Sequence, residues 1–218
     1  MESFVSARAR SHYILFCIAT FLAFLTMSTL AYLAVVLHSL NYSTEKIGFV
    51  LSSPFVPTII GTLVVGRLMQ NFRAIKIAIT GLLICSCCFL AMQAGVEQPY
   101  LLTFLRGTLG LGFGLFFSSA MLFTRSLLQG PNVPYYFGIY ASMLPLPNII
   151  GPTIMELYYD KIGIEGLFLT LGIPLLLGLL LLVWIARHDD PAAAMETHSD
   201  SQTSYLDVFK KKSNYLPM

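Results

Sequence analysis

Residues 13 to 37 read YILFCIATFLAFLTMSTLAYLAVVL and contain no charged side chain. A helix needs about 20 predominantly apolar residues to cross the roughly 30 Å hydrocarbon core of a bilayer. The stretch therefore predicts a membrane span. Arg8 and Arg10 precede it, as basic residues precede a signal peptide, but the apolar part of a signal peptide has only about 7 to 15 residues. We therefore expect a first span that is retained.

The composition of the whole chain agrees with this expectation. Of the 218 residues, 56% are hydrophobic and 11% are charged, whereas about 25% are charged in an ordinary soluble domain. The chain is thus predicted to be an all-α integral membrane protein whose surroundings are the lipid bilayer. Its net charge is only +2, and its basic residues lie mostly between apolar runs, so nucleic acid is excluded as a partner.

Five further apolar stretches are long enough to cross a membrane. Residues 1–187 are therefore expected to form a bundle of six transmembrane helices. Residues 188–218 are polar and charged at both ends, and such a segment cannot bury enough apolar surface to fold alone. The predicted spans cover residues 13–37, 47–68, 75–93, 100–127, 135–159 and 167–187.

The basic residues predict the orientation of the chain, because cytoplasmic loops carry an excess of Lys and Arg. With the N-terminus inside, Lys46 and Lys161 are external and Arg106 lies within a span. The other ten of the 13 basic residues are cytoplasmic. We therefore expect a multi-pass protein of the inner or plasma membrane with both termini in the cytoplasm. The cytoplasmic set comprises Arg8, Arg10, Arg67, Arg73, Lys76, Arg125, Arg187, Lys210, Lys211 and Lys212.

Catalytic and metal-binding chemistry is not indicated. All four cysteines lie in apolar stretches, where cysteine behaves as a small hydrophobic residue, so we predict neither a metal site nor a cofactor. An intramembrane protease would need an activated serine with a histidine, or paired aspartates, inside the membrane. The histidines and aspartates lie at span ends or outside the spans, so the protein is predicted not to be an enzyme.

The loop after the second span, GRLMQNFRAIK at residues 66–76, resembles the signature between helices two and three of the major facilitator superfamily of secondary transporters. Gln70 stands where that family has an aspartate, and Arg73 stands where a glycine is usual. The resemblance implies a gating loop on the cytoplasmic side. A basic loop that merely follows the positive-inside rule is the alternative explanation. The predicted gating-loop residues are Gly66, Arg67, Gln70, Arg73 and Lys76.

The fourth span begins LRGTLGLGFGLFFSSA at residues 105–120. Small residues four apart, such as Gly110 and Gly114, let a neighbouring helix approach closely. Arg106 lies about 10 Å inside the outer boundary, where an arginine usually faces the bundle interior or a water-filled path. Its side chain could instead extend outward to the interface. In the family that it resembles, an arginine in this position is associated with substrate or proton handling.

The fifth span contains MLPLPNIIGPTIME at residues 143–156. Proline removes a backbone donor and bends a helix, and freed carbonyls must find partners in the bundle or in water. The stretch therefore predicts a kinked helix that lines a cavity. Gly151 and Pro152 resemble part of the GPxxGG element of the superfamily's drug and proton antiporters, but Glu156 replaces its last glycine. The predicted kink residues are Pro145, Pro147, Gly151 and Pro152.

Three further polar residues are candidates for a substrate or proton pathway beside Arg106. Asn148 lies deep in the fifth span and can both donate and accept hydrogen bonds. Glu156 lies near the outer interface, where it is either hydrated or paired with Arg106. Tyr32 follows Thr26, Ser28 and Thr29 in a polar interruption of the first span, although such hydroxyls often bond their own helix.

The resemblance implies half of a major facilitator fold, in which six helices form two three-helix inverted repeats and two halves enclose a solute site. Residues 188–218 resemble the central loop before a seventh helix. We therefore expect a secondary active transporter of a small solute by alternating access, present as an N-terminal half or a truncated form. The alternative is a non-transporting scaffold or a self-associating half-transporter. The expected partners are a small solute and a second six-helix half or another copy.

Overall fold

The computed structural model describes Phe4 and residues 7–188, except for the side chains of residues 7, 160, 162–167, 169 and 170. The chain divides into two units after Arg187, and the first unit holds the helical bundle. The polar segment predicted over residues 188–218 lies, His188 apart, outside the described residues.

The described residues are almost entirely helical, which agrees with the all-α prediction. They contain no strand, and Phe4 and Leu128 form one isolated antiparallel bridge. A 3₁₀ turn, Leu30–Tyr32, joins the first two helices. The helices are α1 (Ala7–Thr29), α2 (Leu33–Ser39), α3 (Thr44–Ser52), α4 (Phe55–Leu68), α5 (Ala74–Gly95), α6 (Pro99–Ser126), α7 (Val133–Met143) and α8 (Leu146–His188).

The connections between successive spans lie at two opposite ends of the bundle. We call the end where α1 begins the near end, and the end where α2 stops the far end. At the near end, Gln129 in the α6–α7 connection donates from Nε2 to Phe4 O at 2.6 Å. At the far end, Tyr42 after α2 donates from Oη to Val96 O, after α5, at 2.8 Å. The segments between these ends therefore run up and down in alternation.

Small residues allow α4, α5 and α6 to pack closely. A Cβ placed on Gly110 would lie 2.7 Å from Pro54 Cα, and a Cβ on Gly112 would lie 2.8 Å from Gly81 O. Thr58 crosses the α4–α6 contact and donates from Oγ1 to Gly110 O at 3.0 Å. The close packing predicted at Gly110 is therefore confirmed.

The helix α8 changes direction, although its helical backbone continues from Leu146 to His188. Gly151 packs against Ser28, and Leu171 O accepts a hydrogen bond from Thr26 Oγ1 at 2.9 Å. A straight helix would separate Gly151 from Leu171 by about 30 Å, so it could not reach neighbouring residues of α1 at both points. The chain must double back between these two contacts.

The reversal lies at the far end. Tyr159 Oη is 3.0 Å from Ser39 Oγ at the end of α2, whereas Trp184 faces His12 near the start of α1, with ring centroids 6.2 Å apart. We call residues 146–159 the first arm of α8 and residues 168–188 the second arm. The predicted turn YYDKIGIEGLF at residues 158–168 is therefore helical in its backbone rather than an open connection.

Five helical stretches in the described part of the chain are long and apolar enough to cross a membrane. The fifth predicted span, residues 135–159, is not among them, because it is divided between α7 and the first arm of α8. The break falls at Leu144 and Pro145, between the two helices. The five stretches are Arg8–Ser39, Thr44–Leu68, Ala74–Gly95, Pro99–Ser126 and Leu171–His188.

Candidate functional site

Arg106 is buried inside the apolar bundle. It lies in the second turn of α6, is only 7% exposed, and its Nε atom has no hydrogen-bond partner among the described residues. Phe113, two turns further along the same face of α6, contacts Phe24 of α1 with ring centroids 5.3 Å apart. Arg106 therefore lies on the face of α6 that continues toward α1, and most of its side chain is buried within the bundle.

Glu156 lies on the first arm of α8 and is exposed. Within the described part of the chain, no ion pair joins it to Arg106, so the pairing considered from the sequence does not occur here. The reason lies in the helical phase. Met155 is buried, and successive residues of a helix point about 100° apart, so the carboxylate of Glu156 turns away from the packed face.

The polar interruption of the first span immediately precedes the 3₁₀ turn. Ser28 Oγ donates to Leu25 O at 2.8 Å, and Thr29 Oγ1 donates to Thr26 O at 2.6 Å. Such bonds from a side chain to the preceding turn often bend a helix. Thr26 additionally joins α1 to the second arm of α8 through Leu171 O. These hydroxyls thus shape and join helices.

Tyr32 completes the 3₁₀ turn and is partly buried. Its ring lies 5.7 Å from the ring of Tyr159, measured between centroids. The structure therefore brings Tyr32 onto the first arm of α8, toward the far end.

The kink residues predicted in the fifth span occupy different structural positions. Pro145 lies in the break between α7 and α8, Pro147 lies in the first turn of α8, and Pro152 lies within that helix. Gly151 is buried against α1, and a Cβ added to it would lie 3.1 Å from Thr29 N. The interruption of the helix thus falls at Leu144 and Pro145, whereas Gly151 supplies close contact.

The first arm of α8 has an exposed side with polar groups. Asn148, Thr153 and Glu156 are all exposed. The hydroxyl of Thr153 donates to Ile149 O of the same helix at 3.0 Å. The amide of Asn148 and the carboxylate of Glu156 are therefore two groups on this arm that can meet a solute or a second protein surface.

The predicted gating loop lies at the near end, between α4 and α5. A tight turn forms it, with Phe72 N donating to Leu68 O at 2.8 Å. Arg73 occupies the position before the first turn of α5 and is partly buried. The other four predicted residues, Gly66, Arg67, Gln70 and Lys76, are exposed.

Sequence reasoning missed two buried hydroxyls near the start of the bundle. Tyr140 of α7 and Thr20 of α1 are each 1% exposed, and neither Tyr140 Oη nor Thr20 Oγ1 completes a hydrogen bond with the described residues. Thr20 and Thr124 lie beside Tyr140. Tyr140, Thr20 and Thr124 are ordinary residues of apolar stretches. Only the packing of α7, α1 and α6 reveals that they meet.

The described residues place a few polar groups inside an apolar bundle. A guanidinium and two hydroxyls are buried with unused hydrogen-bonding capacity, and Asn148 and Glu156 are exposed on one arm. No group of three or more His, Cys, Asp or Glu that could hold a metal occurs in the part of the chain that the structure describes. These features suit the binding and passage of a polar species between helices.

Comparison with known proteins identifies the family. The profile of the Major Facilitator Superfamily matches residues 16–213, a range that contains every candidate site residue named above. No curated protein matches the chain.

Proposed function

The chain belongs to the major facilitator superfamily, and on that premise we propose that it is a secondary active transporter of a small solute. In such transporters, two halves rock around a site near the middle of the membrane to give alternating access. We infer that the helices described above form the N-terminal half. Segments α1–α5 and α6–α8 are then its two inverted repeats, with the two arms of α8 completing six spans.

The observation that carries this proposal is the burial of Arg106. An arginine inside a membrane helix costs up to about 2.5–3.5 kcal/mol, which is the value of insertion scales for the helix centre, and the described residues offer no carboxylate that would offset this cost by pairing with Arg106. A structural role would be served better by an apolar residue. We infer that Arg106 binds the solute, or holds the group that carries the coupling proton, during transport.

Two exposed faces support the presence of a second half. The α3–α4 segment is packed almost only on α6. Just 17% of its most apolar stretch of 18 residues is buried. The first arm of α8 exposes Asn148 and Glu156, which are costly to place against hydrocarbon. A second six-helix half, or another copy of this chain, would cover these polar groups and complete a solute path between α1, α6 and α8.

Orientation follows the distribution of charge between the ends. Arg8, Arg10, Arg67, Arg125 and Arg187 all belong to segments at the near end, whereas Lys46 and Lys161 belong to the far end. The positive-inside rule then places the near end in the cytoplasm. On this orientation, the predicted gating loop is cytoplasmic.

Ligand-induced stabilisation tests the role of Arg106. A solute that binds the folded protein raises the midpoint of thermal unfolding. The purified full chain would be screened against carboxylates, phosphates, amines and sugars. We expect stabilising solutes to lose their effect on Arg106→Gln, and to retain part of it on Arg106→Lys.

The matched control is Arg125→Gln, at the near end of the same helix, where the guanidinium donates from one Nη atom to Leu128 O at 3.0 Å. This variant should respond to solutes as the wild type does. Equal responses of Arg106→Gln and Arg125→Gln would remove Arg106 from the binding site. If no solute stabilises the wild type while the chain forms a defined oligomer, the scaffold function is favoured, because the exposed apolar surface of α4 then serves self-association.

A further inference from the structure

A cleft of about 470 Å³ opens at the far end between α3 and the start of α6. This volume falls within the roughly 300–1,000 Å³ that is usual for small-molecule sites. Neither Arg106 nor any residue of the first arm of α8 lines it. Its lining residues are Ser43, Glu45, Lys46, Phe49, Val50, Ser52, Pro99, Tyr100 and Thr103.

The mouth of the cleft carries one negative and one positive side chain. Glu45 and Lys46 lie in the first turn of α3 and are exposed. No ion pair holds either of them among the described residues, although both line the cleft. A ligand that carries an ammonium beside an anionic group matches this pair, because the carboxylate accepts from the ammonium and the lysine donates to the anion.

Further along α3 from Glu45, the wall of the cleft is mainly apolar. Ser52 lies about 10 Å further along α3 than Glu45, and the wall between them contains Phe49 and Val50. The hydroxyls at this depth already donate to their own helices: Ser52 Oγ to Phe49 O at 3.2 Å and Thr103 Oγ1 to Pro99 O at 2.8 Å. A ligand is therefore recognised by charge at the mouth and by apolar contact below it.

Exposed aromatic side chains extend the apolar wall along the outside of the bundle. Tyr100 is 87% exposed and Phe49 is 65% exposed. Phe104, one turn deeper than Tyr100 on α6, and Phe55, at the start of α4, are also exposed. Aromatic residues at the level of the headgroups are typical of a membrane interface. The cleft thus has the polarity of a phospholipid, with charge at the interface and apolar surface toward the hydrocarbon.

We propose that this cleft binds an amphiphile with a phosphate and a primary ammonium, namely a phospholipid of the phosphatidylethanolamine type. Glu45 accepts hydrogen bonds from the ammonium, Lys46 binds the phosphate, and an acyl chain lies along Phe49 and Tyr100. A choline headgroup has no N–H to donate, so Glu45 gives the site its preference. The site uses none of the residues that the transport proposal assigns to the solute, although it lies on the α3–α4 segment whose exposure supports a second half there.

Native mass spectrometry of the purified full chain tests the site. The protein would be equilibrated with equal amounts of phosphatidylethanolamine and phosphatidylcholine that carry identical acyl chains. We expect the wild type to retain the ethanolamine lipid several-fold more than the choline lipid. Glu45→Gln should bring the ratio close to one, and Lys46→Gln should lower retention of both lipids several-fold.

Two variants at the same end serve as controls, because both residues are exposed and neither lines the cleft. Glu97→Gln and Lys161→Gln should leave both the ratio and the amounts unchanged. Equal retention of the two lipids by the wild type, or equal effects of Glu45→Gln and Glu97→Gln, would overturn the proposal. Displacement of the lipid by millimolar O-phosphoethanolamine would instead identify a free headgroup compound as the ligand, and would also overturn the lipid assignment.

Discussion

Gly151 controls the distance between α1 and the first arm of α8. A Cβ at this position would collide with Ser28 Oγ and would lie 3.1 Å from Thr29 N. The backbone amide cannot move aside without shifting α1 at its 3₁₀ turn. The residue that the sequence marked as part of a kink therefore acts through the absence of a side chain.

Replacing Gly151 tests this contact. We expect Gly151→Ala to lower the free energy of unfolding by about 1–3 kcal/mol, the usual cost of adding a methyl group to a tightly packed site. The measurement is the thermal unfolding of both proteins in the same detergent. Gly138→Ala in α7 is the matched control, because no atom lies within 4 Å of the position that the added methyl group would take, and alanine should be neutral or favourable there by up to about 1 kcal/mol. A similar loss of stability in both variants would contradict the role of the contact.

At the same scale, the sequence predicted where polar residues lie along the membrane better than which way they face. The position of Arg106 about 10 Å inside the outer boundary was sufficient to place it within the span, but it left open whether the guanidinium is buried or extends outward to the interface. The direction of Glu156 was not predictable in this way. The direction of Glu156 depends on the rotation of α8 about its own axis after the break at Leu144 and Pro145. Only the packing of Gly151 and Met155 on α1 determines that rotation.

At the scale of elements, apolar length predicted the helices well where the chain is continuous. The spans expected at residues 75–93 and 100–127 correspond closely to α5 and α6, since composition alone determines which segments lipid can accept. Interruptions were harder to predict. Pro54 marks the junction of α3 and α4. The 3₁₀ turn after α1 contains no proline, and the hydroxyls of Ser28 and Thr29 just before it bond their own backbone, which bends a helix without proline.

The doubled-back course of α8 distinguishes this bundle from one with a single long helix at its end. Its two arms contact α1 at Ser28 and at Thr26, through Gly151 and Leu171 respectively. In a chain whose native cysteines are replaced by serine, we expect the cysteine pairs Ser28→Cys with Gly151→Cys, and Thr26→Cys with Leu171→Cys, to form disulfides on mild oxidation. The two Cβ atoms of the first pair would start 3.1 Å apart, below the roughly 3.5–4.5 Å that is usual in disulfides, so this bond forms with a small separation of α1 from the first arm. Peptide mass spectrometry identifies each cross-link.

A straight α8 allows at most one of these cross-links, because it separates the two contact points by about 30 Å. The control pair combines Ser28→Cys with Gly138→Cys, which belongs to α7 and has no neighbour within 4 Å of the position that a Cβ would take. This pair should remain reduced. Formation of one α8 cross-link without the other would show that the helix does not reverse.

At the scale of the whole molecule, the described bundle has surfaces of different character. The α4 surface is covered by large apolar residues, including Phe55, Ile59 and Leu63, each more than 60% exposed, and suits lipid or an apolar partner. The first arm of α8 adds polar groups to its exposed side. A bundle with both kinds of surface is what a half-transporter requires, because it must meet lipid on one side and a partner and a solute path on the other.

The orientation of this bundle in the membrane gives the last prediction. Segments at the near end carry most of the described basic residues, so electrostatics should keep that end in the cytoplasm. In a chain without native cysteines, we expect Glu97→Cys, at the far end, to react with a membrane-impermeant maleimide in intact cells. Ser126→Cys, at the end of α6, should react only after permeabilisation. Both residues are exposed on the protein. A difference in their reaction with the maleimide therefore reports on which side of the bilayer each one lies. The reverse pattern would place the predicted gating loop outside the cell and would exclude the proposed arrangement of the half.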